Sequence, residues 1–292
     1  MKKQIKYIGI DIGGTKILLQ TFDEKLNIID EVRVKTNTKS HNHFIKSLYE
    51  LIDSVFQKSI KGIGVAVPGI VNIKKGTLVK APHLPTKRNT ELKKLLEKKY
   101  NVKVHIENDI NAFLAGQYSQ KGLQKYKNII AIMVGTGVGS AIMINGKIIY
   151  GKDGYAGEVG HIIINSSSNL KTLEQNTSGH HISKIAKILN PKSKITGSTL
   201  GDMLKQKNQE AKKILNYLTE NLAIGLSNLN LIFNPEAIIL GGSVYNNFIS
   251  RNKKKLTDVI KKNSLDKSSP KLIDAKNNEL LPKGTIILLK NN

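Results

Sequence analysis

The stretch that most constrains this chain is residues 5–21, IKYIGIDIGGTKILLQT, where two apolar runs flank a polar, glycine-rich hinge. Ile5, Tyr7, Ile8 and Ile10 read as a buried strand, and Ile17, Leu18 and Leu19 as its antiparallel partner. Between them stand Asp11, Gly13, Gly14, Thr15 and Lys16. Adjacent glycines let the backbone turn tightly and bring N–H groups near a ligand. A backbone nest of that kind suits phosphate oxygens, with Thr15 adding a hydroxyl and Lys16 a charge. Asp11, at the strand end, suits Mg²⁺ held through water. An ordinary Gly-Gly hairpin is the alternative for these residues taken alone.

A weaker copy of the pattern opens the second half. Residues 128–134 read as a strand, GTGVG (135–139) as a glycine turn and 140–144 as the returning strand. Asn145-Gly146 then gives a strong hairpin signal before 148–150. Two such turns, one per half and facing across a cleft, would hold one polyphosphate between them. The first 110 residues read βββαβαβα: strands at 28–34 and 102–106, a short buried strand within KGIGVAVPGIVN (61–72) that Pro68-Gly69 ends in a turn, helices over 41–59 and 90–100, and a helix starting at the polar cluster Glu107-Asn108-Asp109. That order suggests a mixed sheet flanked by helices. Residues 180–234 read as largely helical, with Leu215, Leu218, Leu222, Ile224, Leu226, Leu229 and Ile232 giving an almost all-round apolar helix that should be buried. AIIL (237–240) forms a strand into Gly241-Gly242-Ser243, and the tail holds KLIDA (271–275) and TIILL (285–289).

The chain has 292 residues, enough for two domains with sizeable cores. No run reaches the roughly 18 apolar residues of a membrane span. The basic start enters a strand directly, without a signal-peptide core. Zero cysteines exclude disulfides and any Cys-based zinc site, and a cytoplasmic location is expected. Charge is lopsided, with 46 basic against 22 acidic residues and a net +24. Nucleic-acid binding is therefore weighed. Only Arg33, Arg88 and Arg251 are arginines, lysines are spread along the whole length, and aromatics for base stacking are few. A solvated lysine surface is favoured over specific nucleic-acid binding, and its field would also attract anionic ATP.

The ordered set of motifs resembles the ROK (repressor, open reading frame, kinase) family. The match runs through DIGGTK (11–16), VAVPGIVN (65–72), APHLPTKRNTELKKLL (81–96), ENDINAFLAG (107–116), VGTGVGSAIMINGKIIYGKDGYAGEVGH (134–161), LEQNTSG (173–179) and LGGSV (240–244). The resemblance implies an α/β, two-domain actin-like/RNase H-like fold, shared with sugar kinases, actin and Hsp70, with an interdomain cleft. It places an N-terminal domain at 1–110, rejoined by 276–292, and a C-terminal domain at 111–275. With no DNA-binding segment ahead of the first strand, kinase is expected over repressor.

Roles follow from the same resemblance. Asp109 matches the base that takes the proton from a sugar hydroxyl as it attacks the γ-phosphate; a helix cap is its plain structural alternative. Asn108 matches the sugar-binding Asn, and Asn89 aligns with an Asn of the sugar-side loop. Glu158 and His161 match the pair that binds the sugar ring. At i, i+3 they would point to opposite faces of a strand, so a turn around Gly160 is required. Glu174 matches a Glu on the anomeric side. Thr136 and Gly137 are expected at the phosphates opposite Gly13–Thr15, and Gly241 and Gly242 at the adenosine, with a plain strand-to-helix turn as the alternative. ATP, Mg²⁺ and a homodimer are implied.

The chain also departs from the family. Most members bind structural zinc through a His and three Cys; here the loop is reduced to SSSNLK without cysteine, and His161 alone cannot make a tetrahedral site. No zinc is expected, and packing must hold that loop. In the sugar-side loop His83, Thr86 and Lys87 replace the usual Asn, Gly and Trp. Gly284-Thr285-Ile286-Ile287 stands where a Gly-Ala helix is usual. The short, cysteine-free, Lys/Ile/Asn-rich chain most resembles the zinc-less bacterial N-acetylmannosamine kinases of sialic acid catabolism. Glucokinase, or a non-catalytic sugar-sensing or nucleic-acid-binding relative, are the alternatives.

Overall fold

The computed structural model describes residues 4–167, 169–276 and 278–291. They divide into two compact units: residues 4–125, 150–155 and 278–291, and residues 126–149 and 156–276. The expected boundary at 110 would cut a helix two residues after its start; the chain instead passes into the second unit after Lys125.

In the first unit β1 (Tyr7–Ile12), β2 (Lys16–Phe22) and β3 (Ile28–Lys35) form an antiparallel meander, followed by α1 (His41–Asp53) and β4 (Gly62–Val67). A small hairpin of β5 (Ile70–Asn72) and β6 (Thr77–Lys80) comes next, then α2 (Leu92–Tyr100), β7 (Lys103–Asn108) and α3 (Asp109–Tyr118). The sheet order is β3-β2-β1-β4-β7, with β4 and β7 parallel to β1. Alternation along β1 sends Ile8, Ile10 and Ile12 into one core with Phe44 and Leu48 of α1 and Leu96 of α2. Tyr7, Gly9 and Asp11 point to the other face.

The second unit repeats this plan. β8 (Ile129–Val134), β9 (Val138–Ile144) and β10 (Lys147–Ile148) again form an antiparallel meander. Asn145 and Gly146 take φ of 52° and 75°, as the two central residues of a tight hairpin require. After α4 (Leu173–Thr177), α5 (Ile182–Leu189), α6 (Leu200–Lys205) and α7 (Gln209–Phe233) come β11 (Ala237–Gly241), α8 (Ser243–Asn247), α9 (Lys253–Asn263) and β12 (Lys271–Asp274). The order β10-β9-β8-β11-β12 copies the first sheet strand for strand. Leu218, Leu222, Leu226 and Leu229 of α7 share one core with Ile130 and Ile132 of β8. The expectation of an all-round buried helix needs correction. Ile224 and Ile232 lie off that stripe and stay 40% and 65% exposed.

The chain returns to the first unit as α10 (Leu281–Asn291), so the TIILL run is helical. This helix lies on the open face of the sheet, with Ile286 and Leu289 against Tyr7 and Phe22. It crosses α3 backbone to backbone. A Cβ on Gly284 would overlap the Ala112 carbonyl oxygen and stand 2.8 Å from the Gly116 nitrogen, and one on Gly116 would overlap the Leu280 carbonyl. Only glycine fits that crossing.

Candidate active site

The site residues of the first unit gather at the C-terminal ends of β1 and β7. In the β1–β2 turn, Gly13 N–H donates to the Lys16 carbonyl (2.9 Å). Thr36 fixes the turn from β3's end, its Oγ1 donating to Gly13 O (2.6 Å) and its N–H to Thr15 O (3.0 Å). The N–H groups of Gly14 and Thr15 have no partner among the described residues, which leaves two donors for an anion. Neither Gly13 nor Gly14 takes a positive φ. Gly14 is needed for a different reason: a Cβ there would stand 2.9 Å from His83 Cβ, in the loop that carries Asn89. Asn89 itself is exposed, in the left-handed conformation that asparagine tolerates (φ 58°). Lys16 is exposed. Asp11 is half-buried; burial pushes its carboxyl up to about 6, with Lys16 pulling the other way.

Asn108 and Asp109 start α3. The cap is Asn108, not Asp109: its Oδ1 accepts from the N–H groups of Ile110 (2.9 Å) and Asn111 (3.4 Å). Its Nδ2 donates to the Gly69 carbonyl (2.9 Å), which ties the VAVPGIVN turn to the same residue. Asp109 occupies the first helical position, with Oδ1 accepting from Ile110 N–H (2.9 Å). Beneath them lies Glu107, fully buried. One of its oxygens accepts from Asn108 N–H (2.9 Å) and Asn111 Nδ2 (3.1 Å), the other from the Tyr150 hydroxyl (2.9 Å) and His105 Nε2 (3.1 Å). Four donors satisfy one buried carboxylate and lock the backbone that presents Asn108 and Asp109. Burial and Glu107 together push the Tyr150 phenol well above its ordinary range, so it stays a donor. Sequence alone gives Glu107 and Tyr150 no role; a carboxylate on a buried position of β7 is the available signal.

The second unit holds the remaining set. A short 3₁₀ turn at Val159–His161 supplies the required bend, and the exposed Glu158 and His161 side chains come within 3.9 Å. In the β8–β9 turn, Gly135 N–H donates to Gly137 O (2.9 Å), and the N–H groups of Thr136 and Gly137 have no partner among the described residues. This repeats the open turn of the first unit. Glu174, on α4, accepts from Val138 N–H (2.8 Å), so it braces that turn. The loop before it is held by buried Leu170 and Leu173, by Ile164 N–H to Lys171 O (2.9 Å), and by a Thr172–Gln175 capping box. Ser168 of the SSSNLK loop is outside the described residues. Among the described residues, no three His, Cys, Asp or Glu side chains cluster as metal ligands.

Gly241 and Gly242 end β11. A Cβ on Gly241 would meet Met133 Sδ at 2.7 Å, and Gly242 has φ 93° with the Val134 backbone against it. Packing alone therefore requires both glycines. A cavity of about 320 Å³ opens one residue further on, lined by Thr136, Gly179, His180, Ser243, Asn247 and Phe248 among others. These are brought together from α4's end and α8 by the fold, and only Thr136 was legible as a site residue. Burial and the neighbouring His180 hold the His181 imidazole below its ordinary range. Chemically, the two units offer open N–H turns for phosphates, an oriented Asn-Asp pair, and a Glu-His pair for hydroxyls. Mg²⁺ with a polyphosphate takes one or two carboxylates plus phosphate oxygens, and Asp11 beside an open turn fits that donor set.

Among the described residues, no helix is long and apolar enough to cross a membrane. Residues 7–276 match the model of the ROK family. An N-acetyl-D-glucosamine kinase of Haemophilus influenzae is 28% identical over 259 residues, covering 82% of this chain and 84% of that one. A xylose repressor of Caldicellulosiruptor bescii is 30% identical over 260 residues, covering 80% of this chain and 65% of that one. A ROK family glucokinase of Streptomyces griseus, solved with glucose and AMPPNP, superposes with a TM-score of 0.76 at 25% identity, over 99% of this chain and 100% of that one. The architecture is the two-domain actin-like/RNase H-like fold, and the chain belongs to the ROK family.

Proposed function

We propose that this chain is an ATP-dependent sugar kinase that phosphorylates the 6-hydroxyl of a hexose or N-acetylhexosamine. The observation that carries the reading is the Asn108-Asp109 pair, fixed at the start of α3 by the buried Glu107. Asp109 takes the proton of the 6-hydroxyl as that oxygen attacks the γ-phosphorus, and the bond to the β-phosphate oxygen breaks to release ADP. Asn89, Asn108, Glu158, His161 and Glu174 bind the sugar's hydroxyls. The N–H groups of the turns at Gly13–Lys16 and Thr136-Gly137 bind the phosphates, and the cavity between Thr136 and Phe248 takes the adenosine. Mg²⁺, bound with ATP and held by Asp11, supplies charge neutralisation on the phosphates.

N-acetylmannosamine is the substrate the cysteine-free sequence favours, which would place the protein in sialic acid breakdown; the name of the Haemophilus relative favours N-acetylglucosamine. The deciding experiment is coupled ADP release with Mg-ATP against N-acetylmannosamine, N-acetylglucosamine, glucose, mannose, fructose and allose. One sugar should raise turnover far above the rest, and Asp109→Asn should abolish it while sugar binding persists. A variant with wild-type kcat would remove Asp109 as the base. The +24 charge and the repressor relative favour a second reading, a non-catalytic sugar sensor that binds nucleic acid. Salt-sensitive DNA binding with no sugar-stimulated ATP turnover would select it. The exposed Ile224, Leu231 and Ile232 of α7 favour a homodimer, to be measured by sedimentation.

A further inference from the structure

The first unit contains a second cavity, of about 650 Å³, that holds none of the residues assigned above to sugar or ATP. The β5–β6 hairpin forms one wall and residues 150–155, a loop that packs with this unit, form another. Gly154 stands so close to the hairpin that a Cβ there would be 3.0 Å from Val71 O. His105, only 7% exposed, also lines the cavity, with its Nε2 bonded to Glu107.

Charge in this cavity is one-sided. Lys74, Lys93 and Lys152 line it against a single carboxylate, Asp153. Lys93 has only a long contact to Glu97 (3.9 Å), and Lys74 and Lys152 have no ion-pair partner among the described residues. Three ammonium groups around a concave site suit a dianion better than a monoanion, since lysine binds phosphate as a point charge. The rest of the lining is mixed. Tyr155 presents a half-exposed ring, while Asn72 and Asp153 offer polar atoms at the rim. An aromatic face and amide and carboxylate groups together fit a hydroxylated ring, and the volume fits a ligand of monosaccharide phosphate size.

We propose that this cavity binds a small hydroxylated phosphate monoester, separately from the Asn108-Asp109 site. The phosphate sits among Lys74, Lys93 and Lys152, and the body of the ligand lies against Tyr155 and the His105 wall. Because His105 shares Glu107 with the Asn108 backbone, the occupied cavity borders the carboxylate that positions the base. Binding here does not depend on the kinase reading.

The test is calorimetric titration of glucose 6-phosphate into the full chain without ATP, at about 150 mM salt so that diffuse attraction is screened. Inorganic phosphate and glucose are the comparison probes. Saturable binding is expected, weakened tenfold or more in Lys74→Ala/Lys152→Ala and severalfold in Tyr155→Ala, and unchanged in Glu158→Gln. The lysines and Tyr155 are on the surface, so circular dichroism should show these variants folded. The proposal is overturned by three outcomes. Loss of binding in Glu158→Gln but not in the lysine variant would put the ester at the sugar residues. Inorganic phosphate binding as tightly as the ester would leave only a plain anion patch. No heat of binding up to about 10 mM ligand would mean there is no site.

Discussion

Asp11→Asn removes one charge at nearly constant shape, and the burial of Asp11 sets the sign of the effect and bounds its size. Burial raises the Asp11 carboxyl from 3.8 to about 6, so the folded chain holds its proton more tightly than the unfolded chain does. The stabilisation from that proton is complete below pH 3.8 and is lost as pH rises through 6. At 1.36 kcal/mol for each pH unit, ionised Asp11 costs the fold up to about 3 kcal/mol at neutral pH. This is a ceiling, because the residue is only half-buried and solvent screens part of the penalty. Asparagine stays neutral throughout. Asp11→Asn should therefore be more stable than the parent at pH 7.5, by about 1–3 kcal/mol, and the gap should close towards pH 4. Two compact units can unfold in separate steps, so the assay is amide exchange at Ile10 and Ile12, which reports opening of β1 itself. Kinase turnover should fall at least tenfold in the same variant if Asp11 holds Mg²⁺. A stability difference that does not vary with pH, or a variant less stable at pH 7.5, would refute the reasoning.

Three further substitutions probe other parts of the structure. Gly284→Ala places a Cβ into the Ala112 carbonyl, so α3 and α10 must separate; a loss of about 3 kcal/mol is expected in thermal unfolding. Glu107→Gln keeps the shape but replaces an acceptor for four donors with an amide, and it should cost about 2 kcal/mol in stability. With Asp109 as the proposed base, its steady-state kinetics should show a larger fall in kcat than rise in sugar KM, because Glu107 holds the Asn108-Asp109 backbone. Thr172→Ala breaks the capping box of α4, for about 1 kcal/mol, and should loosen the Glu174 contact to Val138. Hydrogen exchange at Val138 is the readout.

The doubled meander was legible because each copy is local: apolar alternation, a glycine hinge and a returning run fall within some twenty residues. The start of α3 was legible from the polar cluster at 107–109, though the cap proved to be Asn108 rather than Asp109. What escaped was non-local. The β6 strand of the small hairpin has only four residues, too short for a periodic signal. The run at 285–289 is rich in β-branched residues, a composition that favours strand, yet it is helical, with Gly284 seated against α3. The lining of the second unit's cavity joins His180 to Phe248, and no spacing rule connects positions that far apart. Sequence periodicity likewise marked Ile224 and Ile232 as apolar but could not say that the core lies on the other side of α7.

The return of α10 to the first unit also sets an order of events during synthesis. Helix α3, which carries Asp109, lacks its α10 partner at Ala112 and Gly116 until Gly284 has left the ribosome. At usual translation speeds the interval between Gly116 and Gly284 is roughly 10–30 s. Throughout it Tyr7, Phe22 and the open face of the first sheet lack the helix that covers them in the finished protein. The second unit, contiguous apart from residues 150–155, has its whole sequence available first. A nascent chain of this kind is a candidate client for chaperones that hold exposed β-sheet, and its first sheet cannot close before Gly284 has been made.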